Sequence, residues 1–347
     1  MYTKNRMKLS EYSYNLPEEL IASEPPKIRG ASRLLVLSRK TGSIIDSKYL
    51  NVDDFFVPGD VVVLNNTKVI KARLRVFKKN GIERELIILE KHSFDDDWYL
   101  HKVLYRKKLN VGDELTVGDA TLVVEKINGD GTAIIRSDYD LLELVEEYGE
   151  VPLPPYMHRD ATPLDIERYQ TIWADEKGSV AAPTASLNMT EEILEKLRIK
   201  GVIITYLTLH VGLGTFLPIR TDNVEDHHMH QEYFEIPKET VEIIQAAKNG
   251  NNRVIALGTT VARTLEYANI LLKQPAVKIT GEADIFIYPG YKFKTIDGLL
   301  TNYHAPKSTV LMLTAAFAGW DKLLPAYNHA VEQKYRFFSY GDSMLIL

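Results

Sequence analysis

Between Val61 and Arg136 the apolar positions fall in short runs broken by turn signals, with no amphipathic segment of helix length. These runs predict strands at Val61–Leu64, Val69–Phe77, Glu85–Leu89, Trp98–Leu104, Glu114–Val117, Thr121–Glu125 and Thr132–Arg136. Asn-Gly, Val-Gly-Asp and Gly-Asp-Gly turns separate them, and spacing this close predicts a small antiparallel barrel or sandwich. Asp138–Tyr148 follows as a helix with Leu141, Leu142, Leu144 and Val145 on its apolar face.

Beyond the proline-rich Val151–Pro155 the period changes, and helix and strand patterns alternate. Thr190–Lys200 reads as an amphipathic helix with Thr190 as N-cap and Gly201 as its stop. Strand Val202–Leu209, helix Pro237–Lys248, strand Arg253–Leu257 and helix Thr259–Leu272 come next. Strand Ala283–Tyr288 and helices at Ser308–Phe317 and Pro325–Tyr335 complete the series. The first sixty residues add one helix-like start, Leu16–Ala22, and one strand, Arg33–Leu37. The alternation predicts an α/β fold with crossover helices, built from residues 1–60 and 151–347. Residues 61–150 then form an inserted antiparallel β domain. No internal repeat is visible.

Composition narrows the function. Lys and Arg number 42 against 47 Asp and Glu, a net charge of −5, so a nucleic-acid surface must be a local patch. Hydrophobic residues make up 45% and charged residues 26% of the 347, which excludes a disordered chain. The absence of cysteine removes disulfides, thiolate nucleophiles, iron–sulfur clusters and cysteine-based zinc sites. Met1–Asn15 lacks the apolar core of a signal peptide. The longest strongly apolar run, Val310–Trp320, is half the ~20 residues that span a bilayer. A cytoplasmic protein without a membrane partner is therefore expected. The sequence does not fix an oligomeric state, and a monomer is compatible with it.

The unusual residues gather at predicted strand ends. Val202–Leu209 runs into His210-Val-Gly-Leu-Gly-Thr-Phe216, and Arg253–Leu257 into Gly258-Thr-Thr260. Ala283–Ile287 runs into Tyr288-Pro-Gly-Tyr291, and Leu299–Leu300 into Thr301-Asn-Tyr-His-Ala-Pro-Lys-Ser308. Ligands of α/β folds bind beyond the carboxyl ends of strands, so four such ends rich in glycine, hydroxyl, histidine and aromatic residues predict a site. Each alone has a bland explanation in turn and cap chemistry. Gly212 and Gly214 let backbone approach a ligand, although their spacing is not that of a dinucleotide fingerprint. The turns at Gly258, Thr259 and Thr260 and at Lys307-Ser308 open helices whose free N–H groups suit a carboxylate or phosphate. Phe216, Tyr288 and Tyr291 are candidates to stack on a base or ribose.

His210 and His304 are the catalytic candidates, with a hydrogen-bonded structural histidine as the alternative. The cluster His227-His-Met-His230 with Glu232 matches no standard zinc spacing, and no metal is expected. In the run Val69–Phe77 the residues Ile70, Ala72, Leu74 and Val76 share one face. Lys71, Arg73 and Arg75 share the other, a stripe that suits a phosphate backbone or serves as a solvated face.

The sequence resembles the S-adenosylmethionine:tRNA ribosyltransferase-isomerases of queuosine biosynthesis over essentially its whole length. In the N-terminal half the segments that carry the likeness include Leu16-Pro-Glu-Glu-Leu-Ile-Ala22, Leu64-Asn-Asn-Thr67, Pro152-Leu-Pro-Pro-Tyr156 and Ala181-Ala-Pro-Thr-Ala185. Further along they include Thr208-Leu-His-Val-Gly-Leu-Gly-Thr-Phe216, Gly258-Thr-Thr260 with Arg263, and Ile285-Phe-Ile-Tyr-Pro-Gly-Tyr291. Thr301-Asn302 with His304, Pro306-Lys-Ser-Thr309 and Tyr335-Arg-Phe-Phe-Ser-Tyr-Gly-Asp342 complete the set. The resemblance implies a barrel-like α/β domain with an inserted small antiparallel β-barrel. It also implies transfer and isomerisation of the ribosyl unit of S-adenosylmethionine onto 7-aminomethyl-7-deazaguanine at the tRNA wobble position. Epoxyqueuosine forms, and adenine and methionine leave. No prosthetic group is implied, and S-adenosylmethionine is a cosubstrate.

On that reading His210 and His304 supply the acid and base steps, each worth about 10²- to 10⁴-fold. Gly212, Gly214, Thr215, Phe216, Gly258, Thr259, Thr260, Arg263, Tyr288, Asn302 and Lys307 bind substrate, with Phe216 stacking on adenine. Helix N-termini or Arg263 hold the methionine carboxylate, while Lys71, Arg73 and Arg75 touch tRNA. One segment departs from the family pattern. Ser186, Asn188 and Met189 stand where glycine, histidine and phenylalanine are usual, and Val261 where serine is common. Its position just before Thr190 predicts that Asn188 faces the ligand. Two other readings stay open: a paralogue using S-adenosylmethionine on another acceptor, and a tRNA-binding protein without turnover.

Overall fold

The computed structural model describes residues 6–91, 97–212, 214 and 219–347. A strand pair, β1 (Arg33–Leu37) and β2 (Ile44–Lys48), is followed by β3 (Val61–Asn65) and the short β4 (Thr67–Val69). Six strands come next: β5 (Arg73–Lys78), β6 (Glu83–Ile88), β7 (Leu100–Arg106), β8 (Glu114–Val117), β9 (Ala120–Ile127) and β10 (Thr132–Ser137). Helices α1 (Leu141–Tyr148) and α2 (Pro163–Arg168) precede β11 (Glu176–Ser179), α3 (Glu191–Ile199) and β12 (Ile203–Leu209). The remainder is β13 (Glu232–Ile236), α4 (Lys238–Asn249), β14 (Val254–Leu257), α5 (Thr259–Tyr267), β15 (Ile279–Ala283), β16 (Gly298–Asn302), α6 (Thr309–Ala318), α7 (Trp320–Glu332) and β17 (Ser343–Ile346).

Nine strands form one mixed sheet in the order β15-β13-β12-β3-β14-β16-β17-β1-β2. At its centre β12, β3, β14 and β16 run parallel, so their carboxyl ends share one edge. Alternate residues of β3 serve opposite layers. Val61 and Val63 belong to the core shared with α4, α5, α6 and α7, whereas Val62 and Leu64 belong to the one shared with Ile193, Leu194 and Leu197 of α3. Thr190 caps α3 by accepting from the Ile193 N–H at 3.3 Å, and Gly201 follows with φ of 84°.

The six strands from β5 to β10 close into an antiparallel barrel in the order β10-β7-β6-β5-β8-β9. Leu74, Val76, Leu86, Ile88, Val103, Leu115, Leu122, Val124, Ala133 and Ile135 fill it. Leu141, Leu144 and Val145 of α1 join the same core, and Asp140 caps that helix through the Leu142 N–H at 2.7 Å. The mixed α/β fold with an inserted barrel is as expected from the sequence.

Five element assignments need correction. Val61–Leu64 belongs to the large sheet rather than the barrel region. Its residues are buried on both faces, the mark of a central parallel strand. Val69–Phe77 is not one strand: β4 pairs with β11, β5 enters the barrel, and Ile70 turns away to donate its N–H to the Ser179 carbonyl at 2.9 Å. Ala283–Tyr288 is not a strand either. β15 ends at Ala283, opposite Glu232, where its partner β13 begins. Leu16–Ala22 holds only a 3-10 turn at Glu18–Leu20, and α7 starts at Trp320 with Pro325 in its interior. We propose moving the start of the inserted unit from residue 61 to Ile70 and keeping its end near Glu150, because β3 and β4 lie outside the barrel.

Candidate active site

At the shared edge of the parallel strands lies a cavity of about 540 Å³. Gly258, Thr259 and Thr260 enter it from the β14–α5 turn, and Thr301, Asn302, His304 and Lys307 from the end of β16. Ala182–Ala185, Val211, Ile219, Tyr156, Phe338 and Ser339 supply other walls. Gly258 takes φ of 98°, which an L side chain would resist, and no side chain among the described residues caps α5 there. The first turn of α5 therefore offers N–H groups to an anion. The next helix differs: Ser308 caps α6 by accepting from the Leu311 N–H at 3.2 Å.

Asn302 is buried, donates from Nδ2 to the Asp342 carbonyl at 3.3 Å, and has no partner for Oδ1 among the described residues. His304 is positioned from three sides. Its N–H donates to the Tyr327 hydroxyl at 3.1 Å, its carbonyl accepts from the Tyr14 hydroxyl at 2.5 Å, and its Nε2 lies 2.9 Å from Thr301 Oγ1. Burial pushes the imidazole pKa down to about 3, so the ring is neutral at physiological pH.

Six residues expected at the site thus meet in one cavity: Gly258, Thr259, Thr260, Asn302, His304 and Lys307. Others lie elsewhere. His210 is buried beside β4 and β11, with Nδ1 2.8 Å from Thr67 Oγ1 and its ring stacked on Tyr233. Arg263 is buried against Glu232, and burial lowers its pKa to about 10. Glu232 also accepts from the Gly212 N–H at 2.9 Å and lies 3.4 Å from His230 Nε2. Gly214 packs so close to His230 that a Cβ would sit 2.5 Å from the imidazole. Tyr288 packs on Phe286, with ring centroids 5.3 Å apart, and is not part of the cavity wall. Thr215 and Phe216 lie outside the described residues. No group of three or more potential metal ligands occurs among the described residues.

The expectation for Asn188 is overturned. Only 2% exposed, it accepts from Ser32 Oγ at 2.7 Å and donates to the Gly341 carbonyl at 3.0 Å and Ser343 Oγ at 3.3 Å. It ties its own loop to β17 and does not line the cavity; that face of the loop belongs to Ala182–Ala185. Met189 and Val261, two more departures from the family pattern, are buried in hydrophobic core. Changing Asn188 to alanine should cost about 2–4 kcal/mol, because three buried groups lose a partner; thermal melting reads this directly. Restoring histidine together with Ser186→Gly and Met189→Phe should change adenine release by less than the ~10²-fold of the smallest general acid–base effects.

The basic stripe is paired within the chain. Lys71 lies 3.5 Å from Glu146, Arg73 3.7 Å from Asp160, and Arg75 3.1 Å from Glu150. Each of the three cations thus has a carboxylate within 4 Å. Tyr156, Phe338, Ser339 and Glu232 carry no chemical signal of their own in the sequence: the first three lie inside family-like segments, and Glu232 beside a histidine cluster.

The class is thus a mixed α/β fold with an inserted barrel, whose strand-end cavity gathers His304, Asn302 and the open first turn of α5. A profile described as "Queuosine biosynthesis protein" matches residues 9–346. The chain belongs to that family. It is 52% identical over 345 residues to the S-adenosylmethionine:tRNA ribosyltransferase-isomerase of Chlorobium phaeobacteroides, covering 98% of this chain and 100% of the relative. The enzyme of that name from Halothermothrix orenii is 49% identical over 347 residues, with the same coverage. The crystal structure of S-adenosylmethionine tRNA ribosyltransferase from Thermotoga maritima aligns with a TM-score of 0.56 at 36% identity, over 97% of this chain and 100% of that one. No helix among the described residues is long and apolar enough to cross a membrane.

Proposed function

We propose that the chain transfers and isomerises the ribosyl unit of S-adenosylmethionine onto 7-aminomethyl-7-deazaguanine at the tRNA wobble position. The products are epoxyqueuosine-tRNA, adenine and methionine. The observation that carries this reading is the end-to-end identity of about half with enzymes of that name. The cavity supplies fitting chemistry. The open first turn of α5 suits the methionine carboxylate, and Asn302 Oδ1 accepts from its ammonium group. Arg263, already held by Glu232, is the weaker carboxylate partner. The sulfonium acidifies the neighbouring ribose carbon, and His304 on the cavity wall is the first candidate to accept that proton. His210, next to the wall residue Val211, is the second candidate for a proton-transfer role.

Incubation with S-adenosylmethionine and tRNA bearing the deazaguanine amine tests the reading. Adenine and epoxyqueuosine should appear together. Adenine formed only with another acceptor, or tRNA binding without any adenine, would overturn it.

For the tRNA, we propose that Lys71, Arg73 and Arg75 exchange their carboxylate partners for phosphates. The exposed Arg75–Glu150 pair is worth only about 0–1 kcal/mol, so its exchange costs little, whereas the Arg73 side chain is 14% exposed and its exchange costs more. Alanine at all three should then weaken tRNA binding and reduce the log–log salt slope by about one unit per lost contact. Affinity for S-adenosylmethionine should stay constant. Titrations at several salt concentrations decide this, and an unchanged slope leaves the stripe as an ion-paired surface.

A further inference from the structure

Phe337 and Phe338 are adjacent and chemically alike, yet the fold treats them oppositely. Phe337 is fully buried, with ring centroids 4.8 Å from Tyr303 and 6.2 Å from Tyr327. Phe338 takes φ of 69° and lines the cavity half-buried. Positive φ is costly for a bulky side chain, and it persists only where the surroundings enforce it. Here they do. The Phe338 N–H donates to the Tyr303 carbonyl at 3.2 Å, and its own carbonyl accepts from the Gly341 N–H at 2.9 Å. Asp342 clasps the same turn through the Arg336 N–H at 2.8 Å. Gly341 passes so close to the Arg336 carbonyl that a Cβ would meet it at 2.4 Å.

The partner ring is fixed as well. Tyr156 stands edge-on to Phe338 with centroids 4.7 Å apart and planes at 63°. Its hydroxyl donates to Ser339 Oγ and accepts from the Ser339 N–H at 3.1 Å. Packing alone does not call for this arrangement, because a residue with ordinary φ could bury its ring as Phe337 does. The backbone brings the Phe338 ring, half-buried against the core, to a cavity that the polar groups Thr259, Asn302 and His304 also line. The exposed Lys307, also at positive φ, adds a cation to the wall.

We propose that Phe338, braced by Tyr156, is the platform on which the acceptor base of the tRNA stacks once it leaves the anticodon loop. This rests on the reaction proposed above. An enzyme acting on a nucleobase reads it out of the stack, and an aromatic face receives any base whatever its hydrogen-bonding edge. The ring takes the base, which leaves Thr259, Asn302 and His304 for the amino-acid end of S-adenosylmethionine.

The test compares two anticodon stem-loop RNAs, one with 7-aminomethyl-7-deazaguanine at the wobble position and one abasic there. The wild-type protein should bind the first about 5- to 150-fold more tightly, the span of one base–aromatic stack. Phe338→Leu keeps an apolar side chain without the ring and should bring the ratio close to one, with abasic RNA bound as before. Phe338→Tyr should restore it. Phe338→Gly, which suits the positive φ, should lose the ratio while melting no lower than the leucine variant. A ratio that survives Phe338→Leu, or a wild-type ratio of one, overturns the platform. So does a rise in KM for S-adenosylmethionine with the RNA ratio intact, which would assign the ring to adenine. Failure of the reaction itself is read separately, from adenine release by the wild-type protein.

Discussion

Glu232→Ala is expected to destabilise the fold by about 3–5 kcal/mol, the cost of leaving one member of a buried ion pair unpartnered. Glu232 is fully buried at the start of β13 and faces Arg263 of α5, whose side chain is 7% exposed. The same carboxylate accepts from the Gly212 N–H, so its loss also frees the backbone beyond β12. At about 2–4 °C per kcal/mol for a large domain, the melting temperature should fall by ~10 °C. The control removes both charges. Glu232→Leu with Arg263→Met leaves no buried ion and should recover most of the loss. A double variant that melts as low as Glu232→Ala would show that packing, not an orphaned charge, governs the site.

Arg263 also shows where sequence reading fails. A cation near a glycine–threonine turn looks free to bind a carboxylate, since its partner is 31 residues upstream on a strand the hydrophobic pattern does not reveal. β13 interleaves Tyr233 with two glutamates, one buried and one not, and no binary pattern separates them. β11 and β17 escaped for a related reason. Each has four residues, and partners remote in sequence, rather than internal period, hold it in place. β2, the edge neighbour of β1, escaped because only its first two residues, Ile44 and Ile45, are apolar.

What was legible followed from local rules. The barrel strands β6 to β10 stand out because their turns carry Gly, Asn and Asp, and α3 because Thr190 and Gly201 bracket it. The clustering of chemistry at strand ends was legible too, since parallel strands bring their carboxyl ends to one edge whatever their order. Which of those residues reach the cavity was not. His210 and His304 follow strands in the same way, yet one faces Thr67 and the other the cavity. Asn188 misled for the opposite reason. A polar residue before a helix suggests exposure, but three buried hydrogen bonds made burial cheap.

His304 carries the largest expected effect on turnover. Replacing it with alanine should slow adenine release by about 10²- to 10⁴-fold, the range for a positioned proton-transfer group. His304→Gln retains a hydrogen-bonding partner for Thr301 Oγ1, so it should fold normally and still be slow. Proton affinity supplies an independent check. The imidazole pKa is lowered to about 3 in the folded protein, against an ordinary value near 6.5 in the unfolded chain. Between those values the unfolded chain binds the extra proton, so stability rises with pH across the window and is lost as pH falls below ~6.5. Melting temperature should therefore drop between pH 7.5 and pH 5, and less steeply in His304→Gln. The pH profile of kcat should show no limb near pH 6.5 from this residue, because a neutral ring is present throughout. Equal pH slopes of melting in the two proteins would mean that His304 titrates normally and is hydrated. Normal adenine release by both variants would remove it from the chemistry and leave it as a strut between Thr301 and Tyr327.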